Sequence, residues 1–179
     1  MVDVIQELRD QISKANLWSK DLCIKRNDYL IRAGTVEKQL YFIEEGTMRV
    51  FTATEGEEQV IRFGYPGSII TALDSFLSGK PTIFNLQAIK KCRLKSIQVE
   101  SFNKLISSSH ENTGLYLIIL KQFVLQQIER EEDLLTPSPE ARYRRVLKRS
   151  PRLFQEIPSK YIASYLRMTP ETLSRLKKS

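Results

Sequence analysis

The spacing of apolar residues divides the chain into helical and strand-like stretches. Apolar positions at helical spacing predict a short amphipathic helix over residues 3–14. From about Asp28 to Gln98 the pattern changes to short β-rich runs that end at turn residues. These runs are residues 40–43, 48–52, 59–63, 83–88 and 92–97. Short strands separated by such turns are typical of an antiparallel sandwich or barrel.

A helical period returns after Ser101 and predicts one long helix over residues 111–136. Two interpretations are open for its apolar face, because such a face can belong to a core or form the seam of a dimer. The stripe covers only about two heptads, so spacing alone does not decide between them. Pro137 and Pro139 end the helix and mark a domain boundary. The residues of the apolar face are Leu115, Ile118, Ile119, Gln122 and Leu125.

Positive charge is concentrated beyond this boundary. Residues 137–179 contain 11 basic and 3 acidic residues, a balance of +8. Residues 1–136 contain 17 basic and 18 acidic residues, a balance of −1. A basic module attached to a near-neutral one favours a polyanionic partner, because binding to phosphates releases counterions. A solvated basic tail would have the same composition, so charge does not decide the function by itself.

Two helix starts occur close together within residues 157–178. Pro158 suits the first turn of one helix, and Thr169 followed by Pro170 supplies an N-cap and a first-turn proline for the next. The small side chain of Ala163 fits where two helices cross at a tight turn. This pattern predicts a helix-turn-helix whose second helix, residues 169–178, lies in the major groove of duplex DNA. The inner faces of the two helices are formed by Ile162, Ala163, Leu166, Leu173 and Leu176.

The outward side chains of the second helix have the chemistry to read bases. We expect Glu171, Ser174 and Arg175 to contact base edges, since arginine can bind guanine with two hydrogen bonds and glutamate can accept from cytosine. An ordinary helical hairpin with a solvated basic face is the alternative, and the segregated charge favours DNA over it. A second set of residues is expected to contact backbone phosphates. This set is Thr169, Thr172, Lys177 and Lys178.

Residues 169–176 resemble the recognition helix of the Crp/Fnr family of transcription regulators, one branch of which reads DNA with a Glu-x-x-Ser-Arg set. Residues 41–50, Tyr-Phe-Ile-Glu-Glu-Gly-Thr-Met-Arg-Val, resemble that family's cyclic-nucleotide-binding-like sandwich. Glu171, Ser174 and Arg175 match the reading set residue by residue. The resemblance covers nearly the whole chain.

The resemblance implies an α+β protein with three parts. These are an antiparallel jelly-roll β-sandwich sensor domain (residues 1–110), a long dimerisation helix (111–136) and an all-α helix-turn-helix domain (137–179). It also implies a homodimer that binds a near-palindromic site in double-stranded DNA, with RNA polymerase as a further partner.

Departures from the family pattern concern the effector pocket. Nucleotide-binding members carry an acidic residue for the ribose and an arginine followed by serine or threonine for the phosphate. Ser68, followed by Ile69, stands where the acid is expected, and Thr82 and Ile83 occupy the place of the phosphate-binding pair. Lys80 is nearby, but a point charge does not replace the fork of an arginine. We therefore expect no tight binding of cyclic AMP, and either a different small-molecule effector or none.

The DNA-binding region departs from the family at two further points. Arg167 stands where the turn often has glycine, which predicts backbone strain or a shifted turn. The β-hairpin wing that usually follows the recognition helix is not evident in the sequence up to Ser179. We expect fewer contacts to the DNA backbone as a result.

The residue types argue against an enzyme and against a bound metal. One histidine, His110, and two distant cysteines, Cys23 and Cys92, are too few for a four-cysteine iron–sulfur cluster or a histidine-rich metal site. Catalytic serine and phosphate-loop motifs are absent from the sequence. Unpaired cysteines and short apolar runs favour a cytoplasmic protein that does not enter a membrane. The competing hypothesis is an effector-sensing or protein-interaction module with weak or no DNA binding.

Overall fold

The computed structural model describes residues 4–178 and places them in eight strands and eight helices. The helix predicted over residues 3–14 is observed from Val4, and Asp3 lies outside the described residues. The strands are β1 (Lys20–Ile24), β2 (Tyr29–Ile31), β3 (Gln39–Glu45), β4 (Met48–Thr54), β5 (Glu57–Gly64), β6 (Ile69–Ile70), β7 (Asn85–Ala88) and β8 (Cys92–Gln98). The helices are α1 (Val4–Lys14), α2 (Leu73–Ser78), α3 (Val99–Ser107), α4 (His110–Leu135), α5 (Pro139–Arg149), α6 (Pro151–Glu156), α7 (Ser159–Tyr165) and α8 (Pro170–Leu176).

The strands form an antiparallel sandwich of two four-stranded sheets, ordered β1-β8-β3-β6 and β2-β7-β4-β5. Eight antiparallel strands that pass repeatedly from one sheet to the other are typical of a jelly roll. The predicted antiparallel sandwich is therefore confirmed. Three strands, β1, β2 and β6, were not predicted, because β1 is mostly exposed and the other two have only three and two residues.

Three apolar clusters hold the layers together. The first lies between the β1-β8-β3-β6 sheet and helices α1, α3 and the N-terminal half of α4, and the second lies between the two sheets. The third joins the outer face of the β2-β7-β4-β5 sheet to helices α5–α8. Strand β3 contributes side chains to two clusters, since successive side chains of a strand point to opposite faces of the sheet. Phe42 packs in the first cluster and Ile43 in the second.

The turn between β3 and β4 requires glycine at position 46. Gly46 has a φ of +88°, and a Cβ there would lie 2.2 Å from the carbonyl oxygen of Lys91. A side chain would meet both a strained backbone conformation and a steric clash. The glycine within residues 41–50 is therefore needed for the sandwich to close.

Helix α4 buries one side of its N-terminal half and exposes the other. Leu115 and Ile119 pack in the first cluster and are only 5% and 3% exposed. Ile118 and Leu125 are 46% and 60% exposed, and Gln122 is also exposed. The five residues predicted for the dimer seam therefore differ in burial: Leu115 and Ile119 pack toward α1 and α3 within the chain, and the other three remain exposed. The sequence could not separate the two sides, since residues 115–120 are apolar on every side of the helix.

Candidate nucleic-acid interface

The turn between α7 and α8 is a Schellman motif with arginine in the position that glycine usually occupies. The amide of Arg167 donates to the carbonyl of Ser164 at 3.1 Å, and the amide of Met168 donates to that of Ala163 at 3.1 Å. These two hydrogen bonds define the motif. Arg167 has a φ of +51°, in the left-handed region. The strain expected at Arg167 is therefore present, and the turn is not shifted.

Arg142 of α5 holds this turn against the end of α4. Its guanidinium donates to the carbonyls of Leu166 at 3.0 Å and Arg167 at 3.3 Å. It also donates to the carbonyl of Thr136 at 2.7 Å, where α4 ends. One planar fork therefore fixes the α7–α8 turn to the point where the C-terminal helices begin.

Thr169 begins α8 in the way that its sequence predicts. The Thr169 hydroxyl accepts a hydrogen bond from the amide of Thr172 at 3.2 Å, and Pro170 occupies the first turn. Leu173 is fully buried and anchors the helix from beneath. Hydrogen bonds from its own amide and from the Thr169 side chain lower the pKa of Glu171. The Glu171 carboxylate is therefore ionised at neutral pH.

The three predicted base-reading residues lie together on the outer face of α8. Glu171, Ser174 and Arg175 are all exposed. Their spacing of three and four residues places them on one face of a helix. The predicted phosphate-contacting residues surround this face: Thr169, Lys177 and Lys178 are exposed, and Thr172 is half-buried.

Two basic residues of this region, Lys160 and Arg167, were not among the DNA-contacting residues predicted from the sequence. Nζ of Lys177 donates to the hydroxyl of Ser159 at 2.8 Å, which brings the start of α7 next to the end of α8. The exposed Lys160 therefore lies at that end of α8, and the exposed Arg167 lies just before its start. The only sequence feature that indicated these two residues as DNA contacts is the concentration of positive charge in residues 137–179.

The predicted effector residues do not form one pocket. A cavity of about 410 Å³ lies between β4, β5, α2 and the C-terminal half of α4, and none of the four predicted residues lines it. Ser68 is in the β5–β6 turn, where its hydroxyl accepts from the amide of Tyr65, and Ile69 is buried in the first cluster. Thr82 is buried and Ile83 is 65% exposed. These four residues therefore line no common cavity, and their role toward an effector stays a prediction.

Asp74 of α2 binds the loop that the resemblance assigns to the phosphate. Its carboxylate accepts from the Thr82 hydroxyl at 2.7 Å and from the amide of Ile83 at 3.2 Å. Asp74 also lines the 410 Å³ cavity. The donors of this loop are therefore already engaged by a carboxylate of the protein itself.

Three other features of the described part of the chain bear on function: its potential metal ligands, its cysteines and the apolarity of its helices. Within residues 4–178, no group of three or more His, Cys, Asp and Glu side chains could hold a metal ion. Cys23 is exposed, whereas Cys92 is buried, and burial raises the pKa of Cys92 to about 11. None of the helices in these residues has the length and apolarity to cross a bilayer.

The sandwich and α3 coincide with one known protein family. Residues 22–109 match the cyclic nucleotide-binding domain. Over 79 residues, 44% of this chain, the protein is 34% identical to potassium/sodium hyperpolarization-activated cyclic nucleotide-gated channel 4 of Oryctolagus cuniculus. It is also 34% identical over 79 residues to channel 2 of Mus musculus. These matches span only 6% and 9% of the lengths of the two channels.

The fold extends beyond this domain and is shared with solved transcription regulators of the Crp/Fnr type. FixK2 from Bradyrhizobium japonicum superposes with a TM-score of 0.75 at 17% identity, covering 89% of this chain and 82% of FixK2. A CooA mutant from Carboxydothermus hydrogenoformans gives 0.74 at 14% identity, covering 93% and 77%. The c-di-GMP responsive global regulator CLP from Xanthomonas campestris gives 0.70 at 15%, covering 95% and 90%. The sandwich followed by helices is the architecture that these proteins and this chain have in common.

Proposed function

We propose that this chain is a homodimeric, sequence-specific DNA-binding transcription regulator of the Crp/Fnr type, with α7 and α8 as its helix-turn-helix. The observation that carries the proposal is the exposure of Glu171, Ser174 and Arg175 on one face of α8, with Leu173 buried on the other. The fold shared with FixK2, CooA and CLP supports it. The matched proteins are regulators and channels, which favours a non-enzymatic role, and RNA polymerase is the further partner that the resemblance implies.

The side chains of α8 supply the two kinds of contact that a DNA reader needs. Arg175 can donate two hydrogen bonds to guanine, and the ionised Glu171 can accept from cytosine, each worth about 1–3 kcal/mol of discrimination. Thr169, Thr172, Lys177 and Lys178, together with Lys160 and Arg167, would bind phosphates. Phosphate contacts fix the position of the helix without reading sequence.

Apolar residues on the exposed side of α4 support the homodimer. Two pairs at heptad spacing, Leu117 with Val124 and Ile118 with Leu125, are 46–60% exposed, and Ile128 is 54% exposed. Large apolar side chains at this spacing are typical of a helix–helix seam. Two copies paired along α4 would present two α8 helices to a near-palindromic site with half-sites about one helical turn apart.

Cyclic AMP is not the effector in this proposal. The Thr82 hydroxyl and the Ile83 amide are bound by Asp74, whose negative charge opposes a phosphate at the same place. The loop also has no arginine to provide a bidentate contact. We propose no bound metal or iron–sulfur cluster.

A binding-site selection from random duplexes, followed by affinity measurements at two salt concentrations, tests the DNA-binding proposal. The protein should select a near-palindromic site and lose affinity steeply as salt rises. Arg175→Ala should relax specificity about tenfold at one base pair in each half-site. Lys177→Ala should weaken all duplexes alike and reduce the salt dependence.

The matched control is Lys104→Ala, which removes an exposed lysine from α3. It should leave both specificity and affinity unchanged, because α3 packs on the sandwich away from α8. A purified dimer that ignores duplexes at low ionic strength would overturn the proposal in favour of a sensing or interaction module.

A further inference from the structure

A second cavity, of about 520 Å³, lies between the sandwich and the C-terminal helices. Its walls come from β5, the C-terminal half of α4, the α5–α6 junction and Tyr165 of α7. Glu129 is the one acidic residue that lines it within the described chain. Four arginines, each from a different place in the fold, line it as well: Arg62, Arg130, Arg149 and Arg152.

Two of these arginines are already neutralised and two are not. Arg149 pairs with the buried Asp133, and Arg152 pairs with Glu156. Arg62 and Arg130 have no ion pair within residues 4–178. Burial lowers the pKa of both, yet an arginine remains charged. The cavity therefore holds two arginines that form no ion pair within the described residues.

Arg130 is the more informative of the two because its hydrogen-bonding capacity is incompletely used. The residue is 8% exposed, and its guanidinium stacks on the ring of Tyr165 at 3.7 Å. One terminal nitrogen donates to the carbonyl of Tyr165, whereas Nε and the other terminal nitrogen have no partner. Buried donors without partners are rare in native proteins and indicate a missing acceptor.

A β-bulge places Arg62 at the same cavity. Val50 lies opposite Arg62 and Phe51 lies opposite Val60, so Ile61 is an extra residue on β5. A bulge re-aims side chains of the strand that carries it. Ile61 and Arg62 consequently both line the cavity, instead of pointing to opposite faces of the sheet.

We propose that this cavity binds a small organic polyanion, with Arg130 as the anchor and Arg62 as the second cationic contact. Guanidinium forks match phosphate and carboxylate groups with paired hydrogen bonds. The volume is within the range of small-molecule sites. Phe63, Tyr65 and Tyr165 add flat aromatic walls, which suit a ligand with a planar ring. The site adjoins the 410 Å³ cavity, because Arg62 and Arg130 line both. Asp74 lines only the 410 Å³ cavity, so its carboxylate does not face this site.

The ligand would connect three parts of the molecule. Arg62 is on β5, Arg130 is on α4 and Arg152 is on α6, so one anion in contact with all three would tie the C-terminal helices to the sandwich. Binding to this cavity does not depend on the proposed DNA-binding function, and it is measured without DNA.

Calorimetric titration of the full chain with three probes in phosphate-free buffer tests the proposal. The probes are inorganic pyrophosphate, ATP and citrate. Comparing pyrophosphate with citrate separates phosphate recognition from carboxylate recognition. Comparing pyrophosphate with ATP shows whether a planar ring adds affinity. At least one should bind saturably with a Kd below about 1 mM. Arg130→Gln and Arg62→Gln should each weaken that binding at least about tenfold. Arg26→Gln, the same change at an exposed arginine outside the cavity, should not.

The Arg62 variant keeps the test decisive if Arg130→Gln fails to fold. Arg62 makes no ion pair within the described residues, so its loss should leave the circular dichroism spectrum unchanged. Absence of binding by all three probes, or equal weakening by Arg62→Gln and Arg26→Gln, would overturn the proposal.

Discussion

Ser164 of α7 covers the free edge of β5 at Val60. The amide of Val60 donates to the Ser164 hydroxyl at 3.0 Å, and the hydroxyl donates to the carbonyl of Glu58 at 2.8 Å. β5 is an edge strand of its sheet, and the outward backbone groups of such a strand need a partner. One serine side chain supplies it and thereby docks α7 on the sandwich.

Aromatic and cationic side chains reinforce the same contact. Arg49 of β4 is 4% exposed, and its guanidinium lies 3.9 Å from the ring centroid of Phe51 and 4.4 Å from that of Tyr161. It also pairs with Glu58, beside the carbonyl that Ser164 binds. The position of α7 is therefore fixed by a hydrogen-bonded strand edge and by cation–π stacking across the interface.

Ser164→Ala should loosen this contact without unfolding the sandwich. The Val60 amide and the Glu58 carbonyl lose their partner, and the free energy of unfolding should fall by about 1 kcal/mol. Hydrogen exchange at the Val60 amide should accelerate, because local opening becomes easier. Ser107→Ala is the control, since that hydroxyl bonds only within α3. Unchanged exchange at Val60 would show that the serine does not hold the edge.

Arg167→Gly should stabilise the protein. A non-glycine residue in the left-handed region costs on the order of 1 kcal/mol. Glycine avoids this strain, but its greater freedom in the unfolded chain offsets part of the gain in stability. Arg142 binds the backbone carbonyl of Arg167, so that contact survives the change. We expect a gain of roughly 0.5–1 kcal/mol in urea unfolding.

Arg167→Ala separates strain from charge. It retains the strained backbone and loses the same positive charge, so stability should not rise as it does for Arg167→Gly. If Arg167 contacts a phosphate, both variants should lose DNA affinity equally. A glycine variant less stable than the parent would contradict the assignment of strain to this turn.

The sequence was sufficient where local chemistry decides the structure. Thr169 and Pro170 start α8 as their capping preferences predict, and alternating residues identified the longer strands. It was insufficient where distant elements meet. Arg130 lies within an acidic run, and such a run predicts an exposed helix surface. Arg130 is buried because Tyr165, which is distant in sequence, packs against it. Ser68 lies close in sequence to residues that line the 410 Å³ cavity, but its own turn faces a different one.

Leu125→Glu should dissociate the proposed homodimer. The leucine is 60% exposed on α4, and a pair of like charges at a dimer seam adds repulsion to the lost apolar contact. Each effect costs about 1–3 kcal/mol, so the dimer Kd should rise at least about 30-fold in sedimentation measurements. Val36→Glu is the control, because Val36 is an exposed apolar residue (44%) outside α4. A parent protein that is monomeric at micromolar concentration would remove the basis of the dimer proposal.

Cyclic AMP should not bind tightly, although residues 22–109 match the cyclic nucleotide-binding domain. The deciding residue is Asp74, because its carboxylate holds both the Thr82 hydroxyl and the Ile83 amide. Asp74→Asn removes the negative charge, but it provides no arginine for the phosphate, so it should improve the affinity only slightly. Titration calorimetry should show a Kd weaker than about 1 mM for the parent chain. Micromolar affinity in the parent would mean that the Asp74 contacts open for the ligand, and the pocket assignment would then have to be revised.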